Sequence, residues 1–131
     1  MYCPKQLPKY GVDNDFQSTR RVKKGPWYND EPESEKSCCQ LTEVVTEFAC
    51  QGLELDCPIV CWGGDLIWDG TEWISQAQPR SKARDPHNLR VNSYRVLLTR
   101  GRDGFVIFMP DVPAANKTAS ALVEAGVYTL G

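Results

Sequence analysis

Histidine is almost missing from this 131-residue chain: His87 stands alone among 15 basic and 17 acidic side chains. One imidazole cannot build the histidine-rich ligand sets that hold catalytic zinc. The six cysteines, Cys3, Cys38, Cys39, Cys50, Cys57 and Cys61, show no CxxC spacing, so no zinc ribbon is encoded. They are expected to be reduced thiols, most of them serving as small buried hydrophobes, and no metal site is expected. Long apolar runs are missing too. No stretch approaches the roughly 20 residues needed to cross a bilayer. Met1 to Tyr10 holds two lysines, two prolines and no apolar run, unlike a signal peptide, so a cytoplasmic location and no membrane partner are expected. There is no internal repeat and no low-complexity tract.

The net charge of −2 gives no overall basic field. Its distribution is less even. Seven basic residues lie from Arg80 to Arg102 (Arg80, Lys82, Arg84, Arg90, Arg95, Arg100, Arg102) against Asp85 alone, while Asp30 to Glu35 is acidic. The basic stretch is either a local phosphate-attracting surface or a solvated face. Hydrophobic residues at 41% and charged residues at 24% fit an ordinary globular composition, and the length fits one domain.

Residues 1 to about 40 are rich in Pro, Lys, Asp and Glu. The first fifteen or so are expected to be poorly ordered, with a boundary near residue 18 and one domain over 19–131. Arg20 to Tyr28 reads as a short strand and turn broken at Gly25-Pro26. Leu41 to Phe48 reads as a strand, Ala49 to Leu55 as a bend or short helix. Ile59-Val60-Cys61-Trp62 has the β-branched and aromatic content of a buried parallel strand. Asp69-Gly70 between Ile67-Trp68 and Glu72 to Ile74 is a hairpin signal. Gln76 to His87 reads as a loop. Asn88 is the expected N-cap of a helix to Arg100, with Val91, Tyr94, Val96, Leu97 and Leu98 as its apolar side and Gly101 as its stop. Phe105 to Met109 is the clearest buried strand. A last helix over Ala115 to Ala125 turns Ala119, Leu122 and Val123 inward and stops at Gly126. Alternating strands and helices in this order predict an α/β fold with a parallel sheet flanked by helices in three layers.

Two segments carry chemistry. Thr46-Glu47-Phe48-Ala49-Cys50-Gln51-Gly52-Leu53-Glu54-Leu55-Asp56 puts Gln51-Gly52 at a turn, where glycine lets the backbone approach a ligand and successive N–H groups can face a phosphate. Glu54 is placed to accept from a ribose hydroxyl, and Thr46 to touch a nucleic-acid backbone; a turn with a structural carboxylate explains the same residues. Asn92 to Arg102 brings Arg95, Thr99, Arg100 and Arg102 to the end of a helix. Arginine's planar fork suits phosphate oxygens and stabilises a phosphoryl group in transfer. Basic residues at a helix C-terminus also simply complement its dipole, which is the stronger reading for Arg102.

QGLELD followed by NSYRVLLTRGRDGFVIFMP resembles the C-terminal part of the prokaryotic Schlafen-type DNA/RNA helicase domain, among the superfamily 1 helicase-like ATPases. QGLELD resembles motif V and YRVLLTRGR motif VI. The likeness runs from about Arg20 onward, through the Cys61-Trp62-Gly63-Gly64-Asp65-Leu66 segment to the terminal helix. It implies a unit like the second RecA-like lobe. It implies that Arg100 reaches a γ-phosphate and is the catalytic group and that Gly52 and Glu54 contact nucleotide; Gln51 is expected to join them, and Thr46, Arg95 and Arg102 are expected to face nucleic acid. Phe48, three residues before Gln51, stands where many such helicases carry histidine.

The sequence contains no GxxxxGK[ST] loop and no acidic strand end ahead of the two motifs. ATP and its Mg2+ are therefore expected only with a P-loop-bearing partner lobe, to which this chain lends Arg100, with DNA or RNA as a further partner. A chain opening at Met1 in this way fits a short gene product, a gene remnant or a fragment. Two other readings stand: a non-catalytic module that homodimerises through an exposed lobe face, and a small metal-dependent hydrolase using Glu54, Asp56 and Asp65.

Overall fold

The computed structural model describes residues 14–76, 82 and 84–130. They divide between Leu53 and Glu54 into two compact units. The expected boundary at residue 18 lies inside a helix, and the expected disorder of the first residues falls largely on 1–13, outside the described residues.

The first unit is made of short pieces. Helix α1 (Phe16–Arg21) starts where the Asp15 carboxylate accepts from Ser18 N–H at 2.7 Å. Helix α2 (Lys24–Asn29) carries Pro26 in its first turn, where the missing N–H costs nothing, and buries Trp27. The strand expected over Arg20 to Tyr28 is thus two helical turns: a side-chain cap and a first-turn proline are start signals that the Gly-Pro breaker rule hides. A 3-10 turn (Cys38–Gln40) follows and ends at Leu41, whose φ of 55° is left-handed. That backbone interrupts the strand expected over Leu41 to Phe48, and no strand pairs with this segment among the described residues. Residues 47–52 are turn, as the bend at Ala49 to Leu55 anticipated.

The second unit is α/β. Strand β1 (Ile59–Cys61) pairs in parallel with β4 (Val106–Phe108), in the register Ile59–Val106, Val60–Ile107 and Cys61–Phe108. The hairpin of β2 (Leu66–Trp68) and β3 (Trp73–Ser75) forms a separate antiparallel pair. Its connection is four residues, in which Asp69 Oδ1 accepts from the N–H groups of Thr71 and Glu72 at 2.7 and 2.9 Å. Helix α3 (Pro86–Leu98) lies between hairpin and β4, and α4 (Pro113–Glu124) comes last.

The helix boundaries differ from expectation for stated reasons. Asp85, not Asn88, caps α3: its carboxylate accepts from Asn88 N–H at 3.0 Å, and Pro86 supplies the fixed φ of a first helical residue. His87 is therefore helical, not loop. The helix closes at Thr99, so Gly101 is not its stop. Its inward stripe is Val91, Tyr94 and Leu98, one residue per turn, while Val96 is exposed. Likewise α4 turns Ala115, Thr118 and Leu122 inward and leaves Val123 outside. Its end matches expectation: Gly126 at φ 103° lets Val127 N–H reach Leu122 O at 3.0 Å and Gly126 N–H reach Val123 O at 2.9 Å, closing the helix.

The core is aromatic. Trp62 lies 4.2 Å, ring to ring, from Tyr94 and 5.9 Å from Trp73, which in turn meets Trp68 edge-on at 5.4 Å. Leu66, Ile107, Met109 and Leu122 close around them. Phe105 is exposed and Val106 to Met109 are half buried, so β4 is less enclosed than its composition suggests. Thr118 is fully buried and accepts from Trp68 N–H at 2.9 Å, which docks α4 on the hairpin. The five described cysteines are free thiols, but Cys50 alone of them is buried and Cys39 and Cys57 are exposed. No helix among the described residues is long and apolar enough to cross a membrane.

Candidate nucleotide-reading site

The end of the first segment, Leu55-Asp56, meets Gly101 to Asp103 of the second within the second unit. Ahead of β1 and β4, Leu55 and Gly101 form an isolated parallel bridge. Arg102 N–H donates to Leu55 O at 2.8 Å and Asp103 N–H to Asp56 O at 2.9 Å, and Val106 N–H reaches Pro58 O at 3.0 Å. Four residues carry the chain from Leu55 to Ile59, but five carry it from Gly101 to Val106. The extra residue is accommodated as a bulge, with Gly104 at φ 146°.

Gly101 has a packing reason to be glycine. A Cβ there would stand 1.9 Å from Gly104 O and 2.8 Å from Pro58 Cδ. The bulge thus folds back over residue 101, and no side chain fits between.

Glu54 and Arg100 each immediately precede a member of the bridge. Glu54 is exposed and Arg100 half buried. Arg95 is exposed on the last turns of α3 with Nη1 on Asn92 Oδ1 at 3.0 Å. Arg102 turns its fork to Asp56: Nε lies 3.0 Å from Oδ1, and the terminal Nη2 reaches the same oxygen. The Asp56 hydrogen bond and charge, with Glu54 and Asp103 adding to them, raise the proton affinity of this guanidinium. Its surroundings are acidic.

Thr46, Gln51 and Gly52 belong to the first unit. Thr46 caps the turn there, its Oγ1 accepting from Ala49 N–H at 3.3 Å and its carbonyl from Ala49 and Cys50 N–H at 2.9 and 3.2 Å. Gln51 and Gly52 are exposed, and Gly52 at φ 82° has open space where a side chain would be. Phe48 is exposed.

The metal-hydrolase reading gains no support from the geometry. Asp56 holds Arg102, whereas Asp65 is buried and holds other groups, and no set of three or more His, Cys, Asp or Glu able to bind a metal occurs among the described residues. Asp65 Oδ1 accepts from the Tyr94 hydroxyl at 2.7 Å, and that hydroxyl accepts from Gly63 N–H at 2.9 Å. Asp65 Oδ2 lies 3.2 Å from Arg90 Nε, close enough for an ion pair without hydrogen-bond alignment. Burial first, then the Asp65 charge, pushes the Tyr94 phenol far above its usual range. Sequence reasoning missed this network and the role of Gly101. The Gly-Gly-Asp step after a buried strand was the available signal.

The chain matches the family described as Schlafen group 3, DNA/RNA helicase domain, over residues 2–111. That range takes in residues before Arg20, where the sequence likeness was expected to start, and stops short of α4, which it was expected to include. No curated protein and no solved structure matches the chain. The match spans most of the chain: the chain belongs to the Schlafen group 3 DNA/RNA helicase domain family, with a helicase-related nucleic-acid function.

Proposed function

We propose that this chain is the nucleotide-reading part of a helicase-related ATPase, equivalent to a second RecA-like lobe. The observation that supports the reading is the hydrogen-bonded join of Leu55-Asp56 to Gly101-Arg102-Asp103, which begins directly after Glu54 on one segment and Arg100 on the other. A carboxylate for a ribose hydroxyl beside a guanidinium for a γ-phosphate is a chemically coherent pair. Arg95 on α3 would contact a nucleic-acid backbone.

With no GxxxxGK[ST] among these residues, the phosphate cradle and its Mg2+ come from a P-loop-bearing lobe, on the same polypeptide or another. ATP is then shared between the two, and Arg100 acts on a triphosphate held elsewhere. The test is the ATPase rate of this chain combined with such a lobe. Arg100→Ala should lower kcat by about 1,000-fold, the lower end of what an arginine finger supplies. An unchanged rate ends the proposal. The isolated chain should bind nucleotide more weakly than about 1 mM, some −4 kcal/mol, since one guanidinium and a few N–H groups make a poor cradle.

A further inference from the structure

Arg100 leaves its neighbour Arg102 without a task. Arg102 sits two residues on, and its fork crosses from the motif VI segment to Asp56 on the motif V segment. Backbone hydrogen bonds alone define the bridge itself. The bridge is isolated, Gly101 offers no side chain to interlock, and a one-residue bulge follows at once. Register in a paired stretch is weakly specified where side chains do not set it. The Asp56–Arg102 fork supplies a side-chain tie directly beside the two backbone hydrogen bonds that define the alignment, Arg102 N–H to Leu55 O and Asp103 N–H to Asp56 O.

We propose that Arg102 is a positioning residue: by gripping Asp56 it fixes the register in which Glu54 and Arg100 are presented to a phosphate-bearing ligand. The inference rests on the function proposed above. The competing assignment makes Arg102 itself a phosphate contact. Asp56 on its fork and Asp103 beside it argue against that, since both carboxylates repel a polyphosphate.

The two assignments part under a charge swap. The experiment is an NMR titration of the chain with sodium tripolyphosphate at low salt, followed at the Arg100 amide, together with amide hydrogen exchange at Arg102 and Asp103. Arg102→Asp should weaken binding by about two- to fivefold, the scale of an exposed ion pair, and speed exchange of both amides. The double variant D56R/R102D keeps the net charge and reverses the pair. It should restore affinity to within about twofold of the parent and slow both amides again. Affinity that stays as low in the double variant as in Arg102→Asp alone overturns the positioning role, as does an Arg102→Asp variant that binds normally. Arg100→Ala separates the two levels. If it leaves tripolyphosphate affinity unchanged, the proposed function fails; if it abolishes binding while the swap rescues nothing, only the role of Arg102 fails.

Discussion

Two aspartate–arginine pairs tie the segment from Arg90 to Arg102 to the chain before it, and they are opposites. Asp65 and Arg90, near the start of α3, leave only 4% and 15% of their side chains exposed; Asp56 and Arg102, just past its end, leave 67% and 65%. The buried pair sits in a closed set with Tyr94 and Gly63 and abuts the aromatic core. The exposed pair sits over a bare glycine bridge. Identical chemistry thus serves two ends: one anchors the helix through buried groups, and the other, on the reading proposed above, steadies a site open to a ligand. Stability should respond to the first and function to the second.

The largest effect is expected at Asp65. Replacing it by alanine takes the buried counter-charge from the Arg90 guanidinium and the buried acceptor from the Tyr94 hydroxyl. Breaking a buried pair on one side costs about 3–5 kcal/mol. Urea unfolding followed by tryptophan fluorescence should show the loss, because Trp62 lies against Tyr94. A cost no larger than that of an exposed substitution would dissolve the contrast between the two pairs. Gly101→Ala comes next, at about 1–3 kcal/mol, since its Cβ must displace the Gly104 carbonyl. Its signature should be local, with lost protection of the Arg102 and Asp103 amides rather than of the Gly63 amide.

Much of the second unit was legible in the sequence. Ile59 to Trp62 and Phe105 to Met109 announced their strands by β-branched and aromatic content, and their parallel pairing followed from the helix between them. The hairpin about Asp69-Gly70 and the terminal stop at Gly126 were written in turn chemistry. Inward faces were harder. Val96 and Val123 were expected inside because they adjoin apolar neighbours, but helix geometry admits only Val91, Tyr94 and Leu98 on one helix and Ala115, Thr118 and Leu122 on the other. The first unit resisted for another reason: six-residue helices have too little periodicity to declare themselves, and Asp15 caps a turn that composition cannot reveal. At the candidate site, Arg100 and Glu54 could be named from the motif likeness. Asp65, Arg90 and Tyr94 could not be joined, because nothing local links groups 25 to 29 positions apart.

Tyr94→Phe sharpens the comparison through pH. It removes one hydroxyl and leaves the Gly63 N–H and Asp65 Oδ1 short of a partner, for about 1–3 kcal/mol at neutral pH. The sign at high pH is also fixed. The phenol's folded value is raised above the ordinary 10.0, so the unfolded chain releases its proton first and stability falls as pH rises beyond that value. Below it, the contribution is complete. Thermal midpoints from about pH 8 to 11 should drop more steeply in the parent than in the Phe variant over the upper part of that range. Parallel curves would mean that the hydroxyl is not held protonated by the fold.

The smallest effect on stability is expected where the proposed effect on function is concentrated. Arg102→Ala removes a solvated fork whose partner stays hydrated, and exposed pairs of this kind contribute little to folding and are screened by salt. Its unfolding midpoint should therefore lie within about 2 °C of the parent, and should approach it further at high ionic strength. Retained stability with weakened tripolyphosphate binding separates positioning from scaffolding. A loss of stability comparable to that of Asp65→Ala would instead place both arginines in one structural frame, and the division of labour between the two ends of α3 would collapse.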